Sequence, residues 1–207
     1  MPDPKITVVY YSATGTVHAL ANAVVEGAQK AGAETRLRKV AELAPDEVIQ
    51  SVPGWLEHAE ATHEVPLATH DDLAWADGFL FGAPTRFGNV AAQLRQFIDT
   101  LSPLWLDGAL SDKPVSAFTA AHNAHGGQET TLMSFYQTFM HWGAFIVPPG
   151  YTDPSVYAAG GNPYGVSADF AESGPSEGAL EAARYLGRRV AETARTLALG
   201  RERLVTA

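Results

Sequence analysis

The chain contains no cysteine. Disulfides, thiolate metal ligands and cysteine nucleophiles are therefore excluded, while the compartment stays open on this count. Long apolar runs are missing too. None approaches the ~20 residues that a membrane-spanning helix needs. The amino-terminal MPDPKITVVYYS has neither the charged start nor the apolar core of a signal peptide. A soluble, cytoplasmic protein with no membrane partner is the expectation. Positive charge is scarce: 14 Lys and Arg stand against 23 Asp and Glu, for a formal net charge of -9. Such a chain repels a polyanion at long range, so nucleic acid is not an expected partner. Charged residues make up only 18%, too few for a disordered chain, and 46% are hydrophobic, enough for a real core.

What is present is an alternation of strands and helices. Strand one covers about Lys5 to Tyr11, and a helix follows from Thr16 to Ala31, with Val17, Leu20, Ala21, Val24 and Ala28 at helical spacing and Gly32 to end it. Glu34 to Val40 alternates charged and less polar residues, as on a sheet edge. A long polar stretch, Ala41 to Asp72, shows no clear period. Further strands are expected at Gly78 to Phe81, Pro114 to Thr119 and Ala144 to Val147. Helices are expected at Ala91 to Leu101, Gln128 to Trp142 and Ser176 to Leu199. Pro148 to Pro175 reads as a Gly/Pro-rich loop, and no linker or repeat divides residues 1–207 into more than one domain. Five short strands, each leading to a helix or long loop, predict an α/β fold with a parallel sheet covered on both faces. The apolar first strand beside an edge-like second one fits a flavodoxin-like three-layer sandwich of order 2-1-3-4-5.

In such sheets ligands lie beyond the carboxyl ends of the strands, which selects three loops. The first is Ser12-Ala13-Thr14-Gly15-Thr16-Val17. A strand that enters a helix through three hydroxyls and a glycine points N–H groups and a helix dipole at one spot, which suits phosphate. The plainer alternative is an ordinary link with Thr16 as the helix cap. The loop lacks the GK[ST] ending of a triphosphatase and the G-x-G-x-x-G of a dinucleotide fold, so a mononucleotide phosphate fits better. The second loop carries Thr85, Arg86 and Phe87 between Pro84 and Gly88, with Asn89 as a candidate helix cap. It offers main-chain donors to a planar heterocycle and a ring to pack on it. The third, Ala120-Ala121-His122-Asn123-Ala124-His125-Gly126-Gly127, permits close backbone approach. His122 and His125 have no acidic partner at metal-binding spacing, so no metal is expected.

At these loops the chain resembles WrbA-type NAD(P)H:quinone oxidoreductases. YYSATGT, PTRFGN, HGGQET, HWGAFIVPPGY and GGNPYG occur in that family's order, from about Lys5 to Leu199. The resemblance implies FMN as cofactor and NAD(P)H as co-substrate. Hydride would pass to flavin N5, and a quinone would take up two electrons. It also implies a homotetramer, a dimer of dimers. Carried over residue by residue, Ser12 to Val17 would hold the FMN phosphate. Thr85, Arg86 and Phe87 would border the isoalloxazine, and Ala120 to His125 would wrap its other edge. His141 matches a family histidine at the flavin, where it would donate a hydrogen bond or proton to a quinol oxygen or serve as an interface contact. Trp105 and Phe87 would wall the substrate site.

Four positions depart from the family pattern. Thr14 replaces a frequent tyrosine, Ala120 and Ala121 replace hydroxyl residues, and Trp142 stands where many members have a second histidine. Other readings on the same fold are a single-electron carrier of flavodoxin type, a non-enzymatic binding or regulatory protein, and an NADPH-dependent FMN, azo or iron reductase. The long segment Tyr151 to Pro175 holds Tyr157, Tyr164 and Phe170 with few charges, which suits subunit packing.

Overall fold

A computed structural model describes residues 3–206, with side chains through Glu202. In chain order the elements are β1 (Lys5–Tyr10), α1 (Thr16–Lys30), β2 (Glu34–Lys39), α2 (Asp46–Ser51), α3 (Trp55–Ala61), α4 (His70–Trp75), β3 (Gly78–Arg86) and β4 (Asn89–Val90). There follow α5 (Ala92–Asp99), α6 (Ser102–Leu106), β5 (Pro114–Ala121), α7 (Gln128–His141), β6 (Phe145–Ile146), α8 (Pro154–Ala158), β7 (Val166–Asp169) and α9 (Glu177–Thr206). The main sheet is parallel and ordered β2-β1-β3-β5-β6. That is the expected flavodoxin-like order.

Strand β1 is central because its side chains feed two cores. Ile6, Val8 and Tyr10 pack with α1 and α9 on one face. Val9 and the adjoining Tyr11 pack with α5 and α7 on the other. Alternate residues of a strand point to opposite faces, so a continuous apolar run is what a doubly covered strand requires. The first of these layers is unusually tight. A Cβ on Gly27 would stand 1.8 Å from the Arg184 carbonyl oxygen, and one on Gly187 would stand 2.0 Å from that of Val24. Two glycines, one on each helix, let the backbones of α1 and α9 touch.

Three expectations change. First, the fifth sheet position is built in two pieces. β6 pairs with Pro114 and Val115 of β5, and β7 pairs with Phe118 to Ala121. The segment 148–175 thus contains α8 and a strand rather than loop alone. In VSAD only Val166 and Ala168 are buried, too short a pattern to stand out beside Gly-Gly-Asn-Pro-Tyr-Gly. Second, the polar stretch 41–72 carries α2, α3 and the start of α4. Ile49 is the one buried residue of α2, and α3 has none, so no amphipathic period marks them. Third, β3 runs past Phe81 to Arg86 and turns through Phe87 and Gly88 into β4, pairing Thr85 with Val90. Both turn residues have positive φ, 53° and 77°, which is the two-residue turn matched to strand twist. Asn89 is therefore a strand residue, and Ala91 stands at the cap position of α5.

Candidate functional site

A cleft of about 480 Å3 lies at the carboxyl ends of β1, β3 and β5 and joins the three selected loops. In the first loop Ser12, Ala13, Thr14, Thr16 and Val17 line it. Gly15, at φ 101°, holds the cap position of α1 in place of Thr16, and no side chain accepts from the helix start. Ser12 Oγ instead accepts the Gly15 N–H at 3.1 Å, which closes the turn. The first-turn N–H groups of α1 are left for a ligand, with the helix dipole behind them.

The second loop contributes Pro84, Thr85 and Arg86. Thr85 Oγ1 lies 2.7 Å from Thr131 Oγ1, and the Thr131 hydroxyl also reaches the Gly127 carbonyl at 2.9 Å. These contacts fasten the loop to the start of α7. Arg86 donates to the Thr85 carbonyl at 3.0 Å and stays exposed at the rim. Phe87 does not line the cleft: it projects from the turn fully into solvent.

In the third, Ala120 and Ala121 are the buried end of β5 rather than loop, and they pair with Ala168 and Asp169. Their methyl groups form a small, flat part of the lining. His122 and Asn123 continue it, and the His122 ring stacks on Phe170 with centroids 5.4 Å apart. Gln128 Nε2 holds the loop by donating to the Asn123 carbonyl and to Asp169 Oδ1, at 2.8 and 3.0 Å. Gly126 must lack a side chain, because a Cβ there would fall 2.6 Å from Ala121 Cβ. Ala124 and His125 are exposed outside the cleft.

Three lining residues lie outside the motifs: Val52, Trp55 and Phe170. A tryptophan alone in a polar, Pro/Gly-containing stretch was the available signal for Trp55. Its Nε1 donates to Glu42 Oε2 at 3.2 Å, and Tyr11 Oη donates to the same oxygen at 2.9 Å. Gln93 Nε2, Leu43 N and Ala44 N donate to Oε1. Burial opposes charge on Glu42, yet the donors from Ala44, Gln93, Tyr11 and Leu43 outweigh it and hold the carboxyl below its usual range.

His141 and Trp105 are elsewhere. His141 ends α7, a helix of 14 residues whose first turn borders the cleft. At 1.5 Å per residue that places it about 20 Å away. Trp105 Nε1 donates to the His141 carbonyl at 3.0 Å, and both side chains are exposed. Trp142 is instead core, packed on Phe81 and Phe139.

The donor set of the cleft suits a mononucleotide. Hydroxyls and an uncapped helix start meet a dianion, small methyl groups accept a flat ring, and Trp55 and Phe170 flank it. The fold and this site are those of a flavodoxin-type FMN protein. A WrbA-like protein from Agrobacterium tumefaciens superposes with a TM-score of 0.67 at 28% identity, covering 93% of this chain and 98% of that one. An archaeal flavodoxin gives 0.61 at 17% identity, over 92% of this chain and 99% of that one. The family model described as NADPH-dependent FMN reductase matches residues 4–155, and the chain belongs to that family. An NAD(P)H dehydrogenase (quinone) of Deinococcus radiodurans is 52% identical over 163 residues, 79% of this chain and 82% of its own length. One from Geotalea daltonii is 42% identical over 205 residues, 95% of this chain and 100% of its own.

Proposed function

We propose that the chain is an FMN-dependent NAD(P)H:quinone oxidoreductase. The observation that carries this reading is the single cleft in which an uncapped phosphate loop, a hydroxyl-anchored hairpin and a methyl-lined strand end converge. The similarity to quinone dehydrogenases over most of the chain points the same way. Bound FMN supplies two-electron chemistry between a nicotinamide and a quinone.

Within this reading the residues have distinct tasks. Ser12, Thr14, Thr16 and the N–H groups of their loop hold the phosphate. Thr85 and Arg86 set one edge of the ring system from the main chain. Ala120 to Asn123 set the other edge through backbone groups, since two side chains there are methyls. Trp55 and Phe170 narrow the cleft and exclude water.

His141, Trp105 and Phe87 face away from the cleft of their own chain, so they serve a flavin only from a neighbouring copy. An assembly of four, paired as two dimers, supplies that neighbour. The exposed apolar side chains of Phe87, Trp105, Leu106, Met140 and Phe145 are available to such contacts. In that assembly the imidazole of His141 donates to a quinol oxygen, and Trp105 with Phe87 gives a flat substrate its walls. Among the described residues no helix is long and apolar enough to cross a membrane. The reading is completed by a one-domain enzyme working in the cytoplasm.

Stopped-flow absorbance of the FMN-loaded protein tests the reading. Bleaching of the flavin band by NADH or NADPH, followed by recovery on adding benzoquinone, is expected. A band that neither nicotinamide bleaches defeats it. Sedimentation showing only monomers at micromolar concentration removes the roles of His141 and Trp105.

A further inference from the structure

A second cavity, of about 530 Å3, shares Phe170 with the flavin cleft. It is formed by the start of α7, the segment after α8, β7 with the turn that follows it, and the residues that open α9. Apart from Phe170, and Gln128 as a tether of the third loop, none of its lining serves the flavin cleft.

An orphaned acceptor lies in its wall. Gln128 is only 4% exposed, and it lines this cavity and not the flavin cleft. Its Nε2 is spent on the Asn123 carbonyl and on Asp169 Oδ1. Those two acceptors fix which end of the amide is oxygen, since the flipped group would set Oε1 against both. Oε1 is buried, and no donor reaches it among the described residues. A buried amide oxygen left without a hydrogen bond costs free energy that a donor recovers.

The charge of the lining selects the kind of donor. Glu129 and Asp169 stand in it, and it holds no Lys, Arg or His. Among the described residues neither carboxylate is in an ion pair, and only Asp169 Oδ1 accepts a side-chain hydrogen bond. Helices α7 and α9 begin here, and each start adds about half a positive charge. Two carboxylates against two such starts leave the cavity negative by about one charge. The start of α9 is also served by its own chain: Ser176 Oγ accepts the Ala179 N–H at 3.2 Å, and Glu177 stands in its first turn.

Flat rings complete the wall. Tyr151 stacks on Tyr157 and Phe170 on His122, each pair with centroids 5.4 Å apart, so both lining rings have fixed orientations. With Tyr164 they offer aromatic surface to a cation. Gly160, Gly161 and Gly174 leave room beside them, because a Cβ on any of the three would meet nothing within 4 Å.

We propose that this cavity binds a small organic cation that carries N–H bonds, of the guanidinium or alkylammonium class. Asp169 and Glu129 supply the opposite charge, the aromatic wall packs on the cation, and one N–H goes to Gln128 Oε1. The site does not depend on the neighbouring cleft being the flavin site, so it stands or falls separately from that reading.

Calorimetric titration of the full-length protein at low ionic strength provides the test. Butylguanidinium, butylammonium and tetramethylammonium are the separate probes. Side-chain amide resonances of Gln128, assigned by the pair lost in Gln128→Glu, locate the binding. One of the first two probes is expected to bind at a single site and shift those resonances, and the tighter of them names the class of cation. Tetramethylammonium, equally charged but without N–H bonds, is expected to bind at least about tenfold more weakly. Asp169→Asn keeps an acceptor for Gln128 and removes the charge, for a loss of about tenfold, the worth of one charge-assisted contact. Glu129→Gln carries the same expectation where Asp169→Asn does not fold. Glu47→Gln, an equal loss of charge on exposed α2, is expected to change nothing. Failure of both N–H probes to saturate, unmoved Gln128 resonances, or equal binding of tetramethylammonium overturns the proposal. So does a loss in Glu47→Gln as large as that in the cavity variants, which marks attraction to the net charge of -9 alone.

Discussion

Trp55 and Glu42 hold each other across the rim of the cleft, indole nitrogen to carboxylate oxygen at 3.2 Å. The same carboxylate binds Tyr11 at the end of β1 and Gln93 on α5, so a segment with little burial of its own is fastened to two rigid elements. Glu42→Ala is expected to free Trp55 from this position. FMN affinity then falls about three- to tenfold, the cost of one or two lost hydrogen bonds. Quenching of tryptophan emission on FMN titration measures it. Unchanged affinity means that Trp55 does not flank the ring.

The contact of α1 with α9 depends on Gly27 and Gly187. Gly27→Ala or Gly187→Ala places a methyl within 2.0 Å of a backbone oxygen, which only a helix shift relieves. A loss of about 1–3 kcal/mol is expected for each, read from urea or thermal unfolding. Gly200→Ala, on the same helix α9 but facing open space, is the control. There the better helix former raises or preserves stability, by up to about 1 kcal/mol.

Phe87 combines a left-handed backbone, φ 53°, with complete exposure. Both are unfavourable in an isolated chain. Phe87→Asn installs Asn-Gly, the pair that this hairpin turn prefers, and relieves roughly 1 kcal/mol of backbone strain. The isolated chain becomes more stable, while quinone turnover falls and assembly weakens. Higher stability with undiminished turnover and assembly removes Phe87 from the substrate wall.

Acid should destabilise the cofactor-free protein before its carboxylates titrate. The folded-state value of His58, about 4, lies below the ordinary histidine value of 6.5, and His18 is lowered as well. The unfolded chain therefore binds protons first. Stability that is present above pH 6.5 is lost as pH falls toward 4. In His58→Gln the slope of unfolding free energy against pH over that window becomes shallower. An identical slope shows that His58 titrates as it would in an open chain.

Much of this was legible in the chain itself. Strand β1 and helix α1 announce themselves through one continuous apolar run and one clean helical period. The hydroxyls of Ser12, Thr14 and Thr16 mark the turn between them. The three loops also converge on one cleft, as sheet topology requires. Trp55 stayed hidden because α2 and α3 bury almost nothing, and a helix without an apolar stripe leaves no period to read. β7 stayed hidden because four residues with two inward side chains do not rise above the glycines and prolines around them. The position of His141 relative to its own cleft depends on the length of α7 and on which of its ends faces the strand tips, a matter of tertiary arrangement rather than local pattern.

The last rung of the sheet is laid by two separate visits of the polypeptide, β6 near the start of β5 and β7 near its end. The excursion between them begins and ends on the same border. Its two ends are pinned by separate pairings, so a change of length at its exposed turns leaves both halves of the ladder their partners, while α8 stays packed on α9 through Val156 and the close approach of Ala158 to Gly178.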